Sequence, residues 1–243
     1  MNSSNSSNSG KLYLVSTHVG HPDDISKRAI DVLTQVDLVV CEERKNGSQL
    51  LKHLGIQKEL FSLNEHNEAE ESQGLIHQLR QGRTMALISD AGTPVFADPG
   101  TILVQQAVQQ GIMIVPIPGA SSLMAALVCS GFSLKSFYYA GFLPRNSQDR
   151  RHAIENLTNY HSVLVIYDTP YRLGALLKDL SHYFGNQNGV ICCQLTYPDE
   201  KIYRGTVRKL SEQITKNPVK CEFVIIIDNI RHSMPKNRKF PKS

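Results

Sequence analysis

Met85-Ala-Leu-Ile-Ser-Asp-Ala-Gly-Thr-Pro-Val-Phe-Ala-Asp-Pro-Gly100 is the most informative stretch of this chain. It opens with four apolar residues, which are too few for a helix and are typical of a buried strand. Glycine and proline then break regular structure. Asp98 and Pro99 predict the start of a helix, because aspartate caps helices and proline suits their first turn. A strand that leads through a loop of small residues into a helix is where α/β proteins bind ligands.

Short apolar runs alternate with helical patterns on both sides of this stretch. Lys11–Ser16 and Ile112–Val115, for example, are typical of buried strands. The alternation predicts a mostly parallel sheet. Pro116-Ile-Pro118 marks a join, after which a second set of strands and helices begins. We therefore predict two α/β domains, at residues 11–117 and 118–230, with a ligand cleft between them.

The two ends of the chain differ from its middle in composition. Residues 1–10 are mostly Asn and Ser, and we interpret them as a disordered leader that lacks the features of a signal peptide. Residues 231–243 form a tail with five Lys or Arg and no acid, whereas the whole chain has a net charge of +4. Such a tail is typical of nucleic-acid contact and equally of a solvated end. No apolar stretch approaches the ~18 residues of a membrane helix, so we expect a cytoplasmic protein without a membrane partner.

The five cysteines and nine histidines do not follow a metal-binding pattern. No CxxC pair occurs, and we interpret the cysteines as small buried residues in a reducing compartment. The GxGxxG, GxxxxGK[ST] and GxSxG signatures are also missing from the sequence, so dinucleotide, P-loop and serine-hydrolase sites of those types are unsupported. We predict no metal site.

Polar side chains at predicted strand ends are the first candidate functional groups. Glu42 and Glu43 follow a strand, and paired carboxylates suit acid–base chemistry, although such residues also cap turns. Asp90 follows the Met85 strand, so its carboxylate is expected to face the cleft, with a turn or capping role as the alternative. Ser121 and Ser122 open a helix, where hydroxyls and first-turn backbone N–H groups can bind a ligand or simply cap the helix.

Basic side chains near element ends form a second group of candidates. Arg145, Arg150, Arg151 and Arg172 could contact phosphate. A solvated helix face explains Arg150 and Arg151 equally well. His66 lies in a predicted loop at a strand end, where it either lines a functional surface or is an ordinary loop histidine.

Several motifs occur in unbroken order over residues 11–228. They are Leu12-Tyr-Leu-Val-Ser-Thr-His-Val-Gly20, Val36-Asp-Leu-Val-Val-Cys-Glu42, Glu65-His-Asn-Glu68, Ser89-Asp-Ala-Gly-Thr-Pro94, Pro116-Ile-Pro-Gly119, Gly141-Phe-Leu-Pro-Arg145, Tyr167-Asp-Thr-Pro-Tyr-Arg172, Leu195-Thr196 and Arg204-Gly-Thr206. Together these motifs resemble the S-adenosylmethionine (SAM)-dependent tetrapyrrole methylase family. The combination of the Ser89–Pro94 and Gly141–Arg145 motifs further resembles the branch that methylates the ribose 2′-hydroxyl of a cytidine in small-subunit ribosomal RNA.

The resemblance implies the two-domain tetrapyrrole-methylase fold with SAM in the cleft between the domains, a homodimer, and ribosomal RNA of the small subunit as the partner. A ribose hydroxyl is a poor nucleophile, so a base is needed, and among Glu42, Glu43, Asp90 and His66 we favour Glu42 as the catalytic residue. Substrate contacts are expected from Glu43, Lys45, His66, Arg145 and Arg172. Cofactor contacts, carried over position by position, are expected from Val19, Gly20, Asp90, Ala91, Gly92, Thr93, Ser121, Ser122, Tyr167, Leu195 and Thr196.

The chain departs from the family pattern in the first two loops. Thr17-His-Val-Gly-His-Pro22 stands where the family usually has Thr-Pro-Ile-Gly-Asn-Leu, and Glu42-Glu-Arg-Lys45 stands for Glu-Asp-Thr-Arg. Most members also continue past the last strand into a small helical region. Two alternatives therefore stay open: a small-molecule methyltransferase of the tetrapyrrole type, and a catalytically silent RNA-binding relative.

Overall fold

The computed structural model describes residues 10–230, which form two compact units. The first unit runs to Ser122 and the second begins at Leu123. The domain limits inferred from the sequence stay predictions. Residues 1–9 of the predicted leader and the predicted basic tail lie outside the described residues. Gly10 is buried and its amide donates to the Leu79 carbonyl at 2.7 Å, so this residue belongs to the first unit rather than to a leader.

The first unit is built on a five-stranded sheet in the order β3-β2-β4-β1-β5, and all of its strand pairs are parallel. The parallel sheet that the alternating pattern predicted is therefore confirmed. Its elements are β1 (Lys11–Val15), a 3₁₀ turn (Pro22–Asp24), α1 (Lys27–Gln35), β2 (Leu38–Cys41), α2 (Arg44–His53), β3 (Glu59–Ser62), α3 (Glu68–Arg80), β4 (Met85–Ile88), α4 (Thr101–Gln109) and β5 (Met113–Ile117).

Strand β4 lies at the centre of this sheet, and its burial explains its sequence. All four of its residues are buried, because β2 and β1 flank it and apolar side chains cover both faces. Met85 and Leu87 pack into one apolar cluster, whereas Ala86 and Ile88 pack into another. Because β4 ends at Ile88, the residues that follow it lie at the carboxyl edge of the sheet.

Helix α4 begins differently from the prediction. Asp98 does not cap it, because the Asp98 carboxylate instead accepts a hydrogen bond from the Ser89 hydroxyl. The cap comes from Glu68 on α3, whose Oε1 accepts the backbone amides of Gly100 at 2.9 Å and Ile102 at 2.6 Å. A carboxylate at this position also interacts favourably with the positive end of the helix dipole.

The second unit contains a mixed sheet in the order β6-β7-β10-β8-β9. Strands β6 and β7 are parallel, whereas β10, β8 and β9 each run antiparallel to the strand before them in this order. Its elements are α5 (Ser122–Ser130), β6 (Phe137–Phe142), α6 (Ser147–Leu157), β7 (Val163–Asp168), α7 (Leu173–Phe184), β8 (Asn188–Cys193), β9 (Lys201–Thr206), α8 (Val207–Lys216) and β10 (Phe223–Asp228).

A buried ion pair joins α6 to α7 in the second unit. The guanidinium of Arg150 lies 2.7 Å from Asp179, and both side chains are less than a tenth exposed. Arg151 reaches the other oxygen of the same carboxylate at 3.0 Å. The sequence predicted for Arg150 either a phosphate contact or a place on a solvated helix face. Both predictions are wrong, because its charge is buried and neutralised within the unit.

Candidate active site

The loops that follow β1 and β4 are joined by backbone hydrogen bonds at the carboxyl edge of the first sheet. The Thr17 amide donates to the Gly92 carbonyl at 2.8 Å, and the Gly92 amide donates to the His18 carbonyl at 3.0 Å. The Thr17 hydroxyl, buried between the loops, donates to the Ser89 carbonyl at 3.2 Å. These contacts hold the Ser89–Pro94 loop in one position against the first loop.

The loop after β5 is joined to the same cluster through hydroxyl groups. Ser16 donates to the Thr93 hydroxyl at 3.2 Å, and Thr93 donates in turn to the Ala120 carbonyl at 3.2 Å. Gly92 has a φ of +83°, and a Cβ built there would lie 3.4 Å from both the Val19 side chain and the Ala120 oxygen. The structure thus brings together predicted cofactor residues of three loops, and the positive φ favours glycine where they converge.

Glu42 follows β2 at the same edge of the sheet, beside the loop after β4. Burial, followed by the nearby carboxylates of Asp98 and Asp90, raises the pKa of Glu42 to about 7. Burial also raises the pKa of Asp98, although the hydrogen bond from Ser89 opposes the rise. A carboxyl group that titrates near neutral pH is suited to accept and release a proton, as a catalytic base must.

Asp90 is half-buried and is held by a residue that sequence reasoning did not single out. The Asn46 side-chain amide on α2 donates to the Asp90 carboxylate at 2.6 Å. Asn46 lies one position past the Glu42–Lys45 motif, in the first turn of α2, and its place near a strand end was the only available signal. The contact fixes the Asp90 carboxylate next to the loop that contains Glu42.

His18 lies in the loop after β1, at a strand end where, like His66, it was expected either to line a functional surface or to be an ordinary loop histidine. Its ring is half-buried, and its Nδ1 atom is buried without a hydrogen-bond partner in the described structure. Burial, followed by the nearby His53, lowers the pKa of His18. The imidazole is therefore neutral at physiological pH and adds no positive charge to the loop cluster.

The other predicted residues of the first unit lie on its surface. Glu43 is exposed just before α2, and Lys45 is exposed in the first turn of that helix. His66 is also exposed, with its Nε2 atom 3.6 Å from Glu65. Their positions leave these side chains accessible to a large substrate.

The predicted residues of the second unit lie at strand ends of its own sheet. Tyr167, near the end of β7, packs edge-on against Tyr139 and Phe142 of β6, with ring centroids 5.3 and 6.0 Å apart. Leu195 is buried after β8, and the amide of Thr196 donates to Glu200 at 2.7 Å.

Backbone strain coincides with two of the predicted cofactor loops. Within residues 10–230, the non-glycine residues with positive φ are Val95 (69°), Gln194 (51°) and Thr196 (65°). Val95 immediately follows the Ser89–Pro94 loop, and the other two flank Leu195. Non-glycine residues in the left-handed region are costly and concentrate at functional sites, so the strain is consistent with both loop assignments.

Arg172 makes contacts within the second unit that the sequence did not indicate. Its guanidinium lies 3.2 Å from Asp168 and donates to the Leu143 and Pro144 carbonyls at 3.2 and 2.6 Å. The side chain therefore joins the end of β7 to the Gly141–Arg145 motif. Arg145 itself is exposed.

Among residues 10–230 no cluster of three His, Cys, Asp or Glu side chains is arranged to hold a metal ion. None of the helices in that part of the chain is long and apolar enough to span a membrane.

Comparison with known proteins gives the family. Residues 11–211 match the family model described as tetrapyrrole (corrin/porphyrin) methylases. The chain belongs to this family, and the predicted enzyme class, a SAM-dependent methyltransferase, is confirmed with it.

The similar curated proteins share one name. A protein from Halalkalibacterium halodurans, 39% identical over 90% of this chain and 76% of its own length, is named ribosomal RNA small subunit methyltransferase I. A protein of the same name from Leptospira biflexa is 37% identical over 94% of this chain and 95% of its own length. The narrower resemblance inferred from the motifs is thereby confirmed.

A solved structure confirms the predicted fold. Uroporphyrin-III C-methyltransferase from Thermus thermophilus, complexed with S-adenosylhomocysteine, matches 90% of this chain and 97% of that protein with a TM-score of 0.64. Sequence identity is 16%, so this likeness concerns the fold alone.

Proposed function

We propose that this methyltransferase transfers a methyl group from SAM to the ribose 2′-hydroxyl of a cytidine in small-subunit ribosomal RNA. The proposal depends on the convergence of three loops on Gly92, with Glu42 at the same edge of the sheet, where its pKa is raised to about 7. The shared name of the similar curated proteins supports the choice of ribosomal RNA as substrate.

The residues at the loop cluster fit the cofactor. Gly92 presents backbone without a Cβ, and the adjacent Asp90 offers a carboxylate that can accept hydrogen bonds from nucleoside hydroxyls or an ammonium group. Val19 supplies an apolar surface next to Gly92. Bound SAM supplies a methyl group already activated by its sulfonium, and the protein has to align the acceptor and exclude water.

Glu42 is assigned the proton transfer. In its ionised form the carboxylate accepts the proton of the 2′-hydroxyl as the oxygen becomes methylated. Because the pKa of Glu42 is about 7, a large fraction of the enzyme is in this form at physiological pH. The raised pKa also makes the carboxylate a stronger base than an ordinary glutamate.

Exposed groups on each unit are assigned to RNA. Lys45 and Arg145 are exposed basic side chains that can contact phosphates, and Glu43 and His66 are exposed polar groups. The ribose must enter the site, so the target nucleotide is expected to be unpaired. We further propose that the protein is a cytoplasmic homodimer in which SAM binds between the two predicted domains, as the family resemblance implies.

Methylation of undermethylated small ribosomal subunits with labelled SAM tests this function. We expect label in the RNA, at the 2′-oxygen of one cytidine after nuclease mapping. Glu42→Gln should reduce turnover at least a hundredfold, because general-base catalysis contributes about 10²–10⁴-fold. The control Glu70→Gln, at an exposed position of α3 outside the predicted site, should remain within about threefold. Full turnover by Glu42→Gln would exclude this residue as the base.

Calorimetry with SAM tests the cofactor site separately. The Asp90→Ala variant is expected to bind SAM at least tenfold more weakly, and undiminished binding would remove Asp90 from the site. Label in a tetrapyrrole acceptor but not in RNA would favour the small-molecule alternative. SAM binding without transfer to any RNA would favour a catalytically silent relative.

A further inference from the structure

A groove of about 410 Å³ lies between the start of α7 and the end of α8 in the second unit. None of the residues that line it belongs to the predicted catalytic, cofactor or substrate sets. Its size is within the range of small-ligand sites. The lining includes Pro170, Tyr171, Lys178, Thr215, Pro218 and Val219.

An exposed aromatic ring forms one wall of this groove. Tyr171 is 79% exposed. The ammonium group of Lys220 lies 4.2 Å from the ring centroid, in cation–π geometry. The contact orients the ring, and its high exposure leaves the ring accessible to a ligand.

The segments that present Tyr171 and Lys220 are anchored to the unit. The Thr169 amide donates to Asp168 at 2.7 Å, and Arg172 contacts the same carboxylate at 3.2 Å, so the turn that contains Tyr171 is fixed at both sides. Val219, next to Lys220, packs against the apolar core. A ring that is already oriented loses little conformational entropy when a ligand stacks on it.

The positive charge of the groove indicates an anionic ligand. Lys178 is the charged residue that lines it, and Lys220 adds a second positive charge at Tyr171. An accessible aromatic ring beside positive side chains is the arrangement that proteins use to bind single-stranded nucleic acid, with the base on the ring and the phosphates near the cations.

We propose that this groove binds an unpaired nucleotide of the RNA, separate from the nucleotide that is methylated. The base stacks on Tyr171, and Lys178 and Lys220 contact the flanking phosphates. The inference rests on the proposed function for the identity of the RNA. It adds a second point of attachment that would help to select the correct region of ribosomal RNA.

The test measures binding of deproteinised small-subunit ribosomal RNA to the full-length chain by fluorescence anisotropy. Tyr171→Ala should weaken the Kd about tenfold, and Tyr171→Phe should bind like the wild type because it keeps the ring. The double variant Lys178→Gln/Lys220→Gln should lower the slope of log Kd against log salt by about 1.4. Lys209→Gln, an exposed lysine of α8 outside the groove lining, is the charge control.

The outcomes separate this proposal from the proposed function. SAM calorimetry and thermal melting, unchanged in Tyr171→Ala, would show that the variant is folded. Three results would each contradict the proposal that the groove binds a nucleotide. They are an unchanged Kd for Tyr171→Ala, equal losses of affinity for the Ala and Phe variants, and an effect seen only with intact ribosomal subunits. Failure of the wild type to methylate undermethylated small ribosomal subunits would overturn the proposed function and leave the groove to be judged by Kd. Failure of the wild type to bind the deproteinised RNA would overturn the groove proposal alone, since methylation of the subunits is measured separately.

Discussion

Replacing Glu42 with glutamine is expected to remove a pH-dependent cost from folding. Burial is the main reason that the pKa of this carboxyl rises from 4.5 to about 7 in the folded protein. The folded state therefore holds the proton more tightly than the unfolded state does. The free energy of unfolding falls as the pH rises from about 4.5, and the loss is complete above about pH 7.

The size of this cost follows from the pKa difference. A difference of about 2.5 corresponds to about 3 kcal/mol, since each pKa unit is worth about 1.4 kcal/mol. Glu42 is only half-buried, and solvent screening lowers the expected cost to about 2 kcal/mol. A glutamine side chain at this position has no charge to desolvate, so the variant should gain that amount over the wild type between pH 5 and pH 8.

Urea unfolding at pH 5 and pH 8, followed by circular dichroism, measures this difference. The exposed Glu70 on α3 provides the control, since Glu70→Gln should change the pH dependence by less than about 0.5 kcal/mol. The methyl-transfer rate of the wild type should also rise through about pH 7. If wild type and Glu42→Gln differ by the same amount at both pH values, Glu42 titrates as an ordinary glutamate and the proposed base is wrong.

Three further substitutions test the contacts around the site and the core. Gly92→Ala places a Cβ at a φ of +83°, so it should lower the free energy of unfolding by about 1–2 kcal/mol and weaken SAM binding. An unchanged melting temperature and unchanged SAM calorimetry would show that alanine is not strained at this position. Asp179→Asn leaves the buried Arg150 charge without its partner and should cost about 3–5 kcal/mol in urea unfolding; a loss below about 1 kcal/mol would argue against a buried ion pair. Glu68→Ala removes the cap of α4 and should cost about 1–2 kcal/mol, with faster hydrogen exchange at the first amides of that helix, whereas unaltered exchange would show that another group caps them.

The first sheet could be predicted from the sequence because the patterns that indicate its strands and turns are local. The run at Met85–Ile88 is apolar on both faces, and Gly92 marks the point where the loop needs a positive φ. Once the strands are parallel, the loops after β1, β4 and β5 must meet at one edge. The contact between Thr17 and Gly92 realises that expectation, although no local pattern identifies the particular hydrogen bonds.

The errors arose where a partner distant in sequence replaced a local one. Asp98 has the right type and position for a helix cap, but Ser89 binds its carboxylate and Glu68, 32 residues before Gly100, takes the cap. Arg150 has the appearance of a phosphate ligand until Asp179, 29 residues away, is placed beside it. The antiparallel strands of the second sheet were likewise not predicted, because apolar runs indicate strands without giving their direction.

The position of β1 has a consequence for synthesis of the chain. Leu12 pairs with Met85 on one side and with Ile114 on the other, about 70 and about 100 residues further along. Strand β1 therefore has no neighbouring strand to pair with until most of the first unit has been translated. We expect this segment to depend on chaperone protection during that interval, because an unpaired apolar strand readily associates with other chains.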